Sequence, residues 1–234
     1  MSSLEQPHAS FSGTQPPSYE QRCPVVLVID TSPSMQTGTG ECSPIAEVNA
    51  GLARFAAQVR ANPTTAARLD VAVVSFDSDC CVAREFALVD EAAMPRLETR
   101  GSSTDLVAGV ERGLALLAAR KAWYDSMGLP RYRGYLVVVT DGEPTNSAEE
   151  LAALRAAMQE PASRKRHTTW AFGTTGAALA EMQRLFGAER VQGFAAQDFG
   201  AFFEWLSASF ERITASREGD AVQLDRPDFF RHVV

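Results

Sequence analysis

A chain of 234 residues with 45% hydrophobic content is long enough to bury one large core and has the composition of a globular domain. Twenty-nine acidic against 22 basic residues leave a formal charge of -7, which argues against a general nucleic-acid binder, because such a protein presents a basic face. The longest basic cluster, Arg164-Lys165-Arg166, is too short to track phosphates and reads as a solvated connection between a helix and a strand.

Residues 1–21, rich in Ser, Gln and Pro and without an apolar period, predict a disordered tail. Strand 24 to 30 follows, then a helix from Pro44 to Ala61. Ser43 is placed to cap that helix, Pro44 stands in its first turn, and Ile45, Val48, Leu52, Phe55 and Val59 form one apolar stripe. A strand over 70–76 leads through Asp77-Ser78-Asp79 into a short antiparallel strand near 81–88. Asp77 and Asp79 read as hairpin-turn residues, since the glycine and terminal glutamate of a calcium loop are missing.

Leu106, Val110, Leu114 and Leu117 predict a helix over 105–120, and residues 121–134 a connection. Strand 135–140, helix 148–159, strand 168–172, helix 177–186, short strand 190–192 and helix 198–213 complete the series. The aromatics of the last helix, Phe202, Phe203, Trp205 and Phe210, read as core with one or two left exposed. Residues 216–234 are weakly periodic and read as a C-terminal extension, leaving 22–215 as the domain. Continuous apolar strands alternating with amphipathic helices predict an α/β fold, doubly wound, with a mainly parallel sheet covered by helices on both faces.

No stretch approaches the roughly 20 apolar residues that cross a bilayer, and the amino terminus lacks a basic segment followed by an apolar core and cleavage site. The expectation is a cytoplasmic protein with no membrane insertion. Cys23, Cys42, Cys80 and Cys81 are too few and too poorly spaced for a disulfide framework, and a bridge between adjacent Cys80 and Cys81 would be strained. Free thiols in a reducing compartment are expected. His8, His167 and His232 are scattered and show no zinc-ligand spacing.

Asp30, Ser32 and Ser34 follow the apolar run Val25 to Ile29 at alternate positions, so an extended backbone presents all three to one side. Asp141 follows the second run, Tyr135 to Val139, and Thr104 precedes the helix between them. Both carboxylates therefore emerge at the carboxyl edge of the sheet, where open α/β folds place ligands. Carboxylate and hydroxyl oxygens are hard donors suited to Mg²⁺, Mn²⁺ or Ca²⁺. Two carboxylates offset a divalent charge and neutral hydroxyls leave the ion electron-poor, so it seeks one more anionic oxygen. Singly, these residues are ordinary helix caps and turn residues; three separated elements, each at a strand end, carry the reading.

The segments Asp30-Thr31-Ser32-Pro33-Ser34, Ser103-Thr104 and Thr140-Asp141-Gly142, in this order, resemble the metal-ion-dependent adhesion site (MIDAS) of von Willebrand factor A (VWA) domains. The resemblance spans residues 23 to about 213. It implies a six-stranded sheet of order 3-2-1-4-5-6 with strand 3 antiparallel. It also implies a divalent cation, Mg²⁺ ahead of Mn²⁺ or Ca²⁺, with Ser32, Ser34 and Thr104 as direct or near-direct ligands. Asp30 and Asp141 would act through waters and hydrogen bonds, and a partner protein's Glu or Asp would supply the last ligand. Gln36, Thr37, Asp105 and Glu143 would form the partner-binding rim. Pro33 stands where glycine is commoner in the family, the Gln36 to Ser43 stretch is longer, and Asp105 adds negative charge beside Thr104.

Within the family, Val25 to Met35, Gly134 to Thr145 and Phe202 to Ser207 resemble the bacterial TerY-type tellurium-resistance-associated branch. That resemblance implies a cytoplasmic scaffold in tellurite or stress resistance, linked to a Ser/Thr kinase and a phosphatase, with Ser or Thr of the tail or of the Gln36 to Ser43 loop as phosphorylation targets. An enzyme is the rival class: a Mg²⁺-dependent phosphatase with Asp30 as nucleophile. Haloacid-dehalogenase-type phosphatases place a second Asp two residues on, and Ser32 stands there, so the proton donor is missing. No phosphate-cradling P-loop and no histidine after a nucleophile elbow is present. A structural subunit with a vestigial metal site is the third reading, and a noncatalytic binding module the first.

Overall fold

Alternation along the first strand organises the molecule. In β1 (Cys23–Asp30) every residue is buried; Val25, Leu27 and Ile29 face one side of the sheet, and Val26 and Val28 the other. The computed structural model describes residues 19–37, 43–174, 176–194 and 198–217, together with Asp220, Val222 and Leu224. Most of the tail, the centre of the Gln36 to Ser43 loop, Cys42, His8, His232 and most of the extension after 216 lie outside the described residues.

β2 (Leu69–Phe76), β3 (Cys80–Leu88), β4 (Gly134–Thr140), β5 (His167–Gly173) and β6 (Val191–Gly193) join β1 in one six-stranded sheet of order β3-β2-β1-β4-β5-β6. Only the β2–β3 pair is antiparallel. This is the expected architecture, and it places the crevice between β1 and β4 at the point where the chain reverses its winding direction.

On one face α1 (Pro44–Ala61) and α7 (Phe199–Ala215) cover the strands; on the other lie α3 (Leu106–Met127), α4 (Ala148–Gln159) and α6 (Gly176–Phe186). Two short helices, α2 (Pro63–Arg68) and α5 (Pro161–Arg166), stand where no apolar period predicts them. Each starts on a proline, whose preset φ suits a first helical turn. The basic triplet Arg164 to Arg166 thus closes a short helix within the connection between α4 and β5.

The α3 helix runs seven residues past its expected end, to Met127, where Gly128 at φ 66° supplies a left-handed cap. The extra turns are held by tertiary contact. Arg120 Nε and Tyr124 Oη, one turn apart, donate to Asp70 Oδ2 of β2 at 2.7 and 2.5 Å. At the sheet edge, β3 pairs irregularly with β2, and the buried Arg84 guanidinium fills the gap by donating to the carbonyls of Val71, Ala87, Leu88 and Ala92.

No residue of the α7 aromatic cluster is left exposed. Phe202, Phe203 and Phe210 are fully buried and Trp205 is half-buried against Trp170, with ring centroids 5.5 Å apart. The helix is gripped on two sides, by α1 and by the β4–β5 aromatics Tyr135, Trp170 and Phe172, so residues on nearly all its faces find cover. Val222 and Leu224 add to the same core from beyond the helix. Among the described residues no helix is long and apolar enough to cross a membrane, and Cys23, Cys80 and Cys81 are free thiols.

The α1–α7 contact depends on a missing side chain, because a Cβ on Gly51 would stand 2.1 Å from Cδ2 of the buried Phe203 ring. Alanine would gain about 1 kcal/mol of helix propensity, but overpacking of this kind costs about 1–3 kcal/mol or more. Gly51→Ala is therefore expected to lower the urea midpoint, whereas Gly→Ala at an uncrowded helical site would raise it.

Candidate metal centre

β1 hands the chain to a turn through its own last side chain. The Asp30 carboxylate is fully buried; its Oδ1 accepts the Ser32 backbone N–H at 2.8 Å, and its Oδ2 accepts the Thr140 hydroxyl from the end of β4. The first bond folds the backbone back on the strand end, and the second ties the two central strands together. Ser32 is extended (φ -62°, ψ 165°), and Pro33 then opens a single 3-10 turn over Pro33–Gln36. That turn brings the Ser34 hydroxyl beside Ser32, with 3.0 Å between their Oγ atoms, and lets it donate to Asp141 Oδ1 at 2.5 Å.

Thr104 arrives from the other side. Its backbone is clamped to the β4–α4 loop: Thr104 N donates to Thr145 Oγ1 at 3.1 Å, and Thr145 N donates to Thr104 O at 3.0 Å. Gly142 leaves the space between. A Cβ there would lie 3.3 Å from Ser34 Oγ and 3.7 Å from Thr104 Oγ1. Asp30, Ser32, Ser34 and Asp141 therefore form one hydrogen-bonded chain, with the Thr104 hydroxyl next to it across Gly142.

The four rim residues separate. Gln36 and Thr37 are exposed, and Gln36 Oε1 accepts the Thr99 hydroxyl at 2.9 Å. Glu143 is exposed at the start of the β4–α4 loop. Asp105 Oδ1 caps α3 by accepting Ala108 N at 3.0 Å and also accepts Asn146 Nδ2 at 2.7 Å, so one carboxylate oxygen takes both the helix and the neighbouring loop.

Several residues that hold the centre are not among the expected ligands or rim residues. Thr140 belongs to an apolar strand, yet orients Asp30. Asp77 is more than a turn residue: it is buried, accepts the Thr31 hydroxyl at 3.0 Å, and its carbonyl accepts Asp105 N at 2.7 Å, bracing the first loop against the third. Asn146 accepts Val107 N at 3.2 Å while donating to Asp105. The pattern Thr-Asp-Gly-Glu-Pro-Thr-Asn, dense in side chains that bond to backbone, was the available hint.

Burial pushes the Asp30 carboxyl up to about 6; the Thr140 and Ser32 hydrogen bonds oppose the rise, and the charge of Asp141 adds to it. Asp141 is also raised, chiefly by burial, against the lowering effect of the Ser34 hydroxyl. No described Lys or Arg forms an ion pair with either. Among the described residues no group of three or more His, Cys, Asp or Glu could hold a metal, so any ion here would rely on hydroxyls. The donor set fits a hard divalent cation: oxygen throughout, two carboxylates without a counter-charge, and three hydroxyls beside a cradle that only glycine leaves open.

A doubly wound sheet with an oxygen cluster at its switch point defines a VWA-type α/β domain. The von Willebrand factor type A domain family model matches residues 25–143, just over half of the chain, and the protein belongs to that family. No curated protein matches it in sequence. Among solved structures, the PilB minor pilin from Streptococcus sanguinis is similar with a TM-score of 0.60 at 13% identity, over 83% of this chain and 62% of that one. The pilus adhesin SpaC from Lactobacillus rhamnosus GG gives 0.61 at 15% identity, over 83% of this chain and 31% of its own. Proximal thread matrix protein 1 from the mussel byssus, in a structure with a zinc-occupied MIDAS motif, gives 0.54 at 15% identity, over 82% and 48%. At these identities the likeness is one of fold. The chain spans about half the length of the mussel protein and less than two thirds of either pilus protein.

The raised Asp30 carboxyl has a definite sign. Folding favours its protonated form, so its stabilising contribution is complete below the unfolded-state value near 4 and is lost as pH rises through about 6. At pH 7 the cost is on the order of 3 kcal/mol. In chelator, Asp30→Asn is expected to be more stable than the wild type at pH 7, with the advantage shrinking towards pH 4. Parallel thermal melts across that range measure the difference.

Proposed function

We propose that residues 22–215 form a noncatalytic, metal-dependent protein-binding module, flanked by residues 1–21 and 216–234. In this reading Asp30, Ser32, Ser34, Thr104 and Asp141 hold a divalent cation, Mg²⁺ ahead of Mn²⁺ or Ca²⁺, and a Glu or Asp of a partner protein completes its coordination. Gln36, Thr37, Asp105 and Glu143 rim the approach. The observation that carries the reading is the hydrogen-bonded chain from Asp30 to Asp141, which gathers two uncompensated carboxylates and three hydroxyls around Gly142. The zinc-occupied MIDAS motif of the similarly folded mussel protein supports it.

The cation would supply a Lewis-acidic point for an anionic oxygen; the chain's own residues set the approach. Asp30 orients the loop from below, through Ser32 N–H and the Thr140 hydroxyl. Ser34 is half-buried, its hydroxyl shared between Ser32 and Asp141. Catalysis by Asp30 as nucleophile is disfavoured physically, because its carboxylate is fully buried with both oxygens engaged and the residue two places on is a serine. The resemblance to the TerY-type branch supports a cytoplasmic scaffold in tellurite or stress resistance, working with a Ser/Thr kinase and a phosphatase. Phosphate incorporation that requires the kinase would bear on that assignment, and a chain never phosphorylated would remove its regulatory part.

Calorimetric titration with Mg²⁺, Mn²⁺ and Ca²⁺ is expected to give single-site binding to the wild type and none to Asp30→Ala with Ser32→Ala. A partner captured from extract should be retained with metal and released by chelator. Wild-type protein that binds none of the three ions would make the site vestigial. Thr140→Val removes the hydroxyl that donates to Asp30 and accepts Gly142 N–H at 3.2 Å, and should weaken the ion by about 10–100-fold, as loss of an outer-shell partner does, while circular dichroism stays unchanged.

A further inference from the structure

At the amino ends of the strands, roughly 20 Å below the metal centre by strand rise, lies a cavity of about 630 Å³ between α3 and the α4–α5 corner. Its volume falls within the roughly 300–1,000 Å³ of small-molecule sites. The hollow exists because the facing positions are small: Ala118 and Ala122 of α3 and Ala157 of α4 line it and are exposed. Leu114 and Leu117 form an apolar floor. A larger side chain at any of the three alanines would project into the space.

The rim is polar and cationic in a chain of net charge -7. Lys121, Arg131, Arg166 and His167 line the cavity, against Asp125 and Glu160. Arg131 is neutralised by Asp125 at 3.0 Å, whereas Lys121 and Arg166 form no ion pair among the described residues. The His167 imidazole is held below its usual range first by burial and then by the charges of Arg190, Arg133 and Arg166. Two unpaired cations are too few to follow a nucleic-acid backbone, and the apolar surface is recessed rather than protruding, which a flat bilayer could not reach.

We propose that this cavity is a second ligand site, for a small amphiphilic anion whose apolar body lies over Leu114, Leu117 and Ala118 and whose carboxylate or phosphate meets Lys121 and Arg166. The site is independent of the metal centre. Neither half of such a ligand suffices: the floor contributes by removing apolar surface from water, and the cations add charge-assisted bonds and orientation.

Calorimetry on the full chain with octyl phosphate, octanoate, octanol and inorganic phosphate tests this. Octyl phosphate or octanoate should bind saturably at one-to-one stoichiometry, at least tenfold tighter than octanol or inorganic phosphate, and the stronger of the two identifies the headgroup. Lys121→Ala with Arg166→Ala, and separately Ala118→Trp, should each weaken it at least tenfold, leaving the melting midpoint and Mg²⁺ titration unchanged. The His167 ring resonances should move on binding. No saturable binding by either anion, equal affinity for octanol, or binding indifferent to the charge variant would overturn the proposal. So would charge-dependent retention on phosphatidylglycerol vesicles without binding of the free anions, which would reassign the patch to a membrane surface.

Discussion

The Asp30 carboxylate joins the two central strands at the point where the sheet changes winding direction, and the rest of the carboxyl edge is arranged around it. One oxygen turns the β1 backbone through Ser32 N–H, the other takes the Thr140 hydroxyl of β4, and neither is left for solvent. A buried carboxylate is costly without such bonds. Here they are enough to place it but not to neutralise it, and Asp141 stands close enough to raise its pKa further. The edge is thus preorganised in shape and unbalanced in charge, the condition under which a divalent ion gains most from entering.

That arrangement needs a stiff base. The base is the two-faced core, with α1 and α7 on one side of β1 and α3, α4 and α6 on the other. Close contact is obtained by omitting side chains where elements meet: Gly51 of α1 admits the Phe203 ring of α7, and against the sheet Gly109 admits Phe76 and Gly113 admits Leu136 and Val28. Away from the site, Asp70 gathers Arg120 and Tyr124 and anchors the far half of α3 to β2. The charge distribution follows the same axis, with carboxylates Asp30, Asp141 and Glu143 at the carboxyl edge and cations Lys121, Arg131 and Arg166 towards the amino edge.

Elements with strong local periodicity were legible from composition and spacing. α1 begins and ends where its cap, proline and apolar stripe place it, and the antiparallel β3 follows from the short polar turn after β2. The five candidate ligands were legible because each follows or precedes a strand or helix end. Elements held by distant contacts were not. The final turns of α3 depend on Asp70, some fifty residues away; the burial of every α7 phenylalanine depends on having helix and sheet on opposite sides; and Thr140 and Asp77 look like strand and turn residues until their partners are seen.

By itself the sequence determined the fold class, the strand order expected from the VWA resemblance, and which oxygen-bearing side chains fall near strand and helix ends, because apolar period, caps and the Asp-x-Ser-x-Ser run are local properties of the chain. Only the tertiary structure decided which hydroxyl bonds which carboxylate, that Asp105 is committed to capping α3 and to Asn146, and that a cation-rimmed hollow opens at the opposite end of the sheet. Those outcomes depend on how residues about forty to more than a hundred positions apart are brought within hydrogen-bond distance, and that is set by packing between elements rather than by the chain's local preferences.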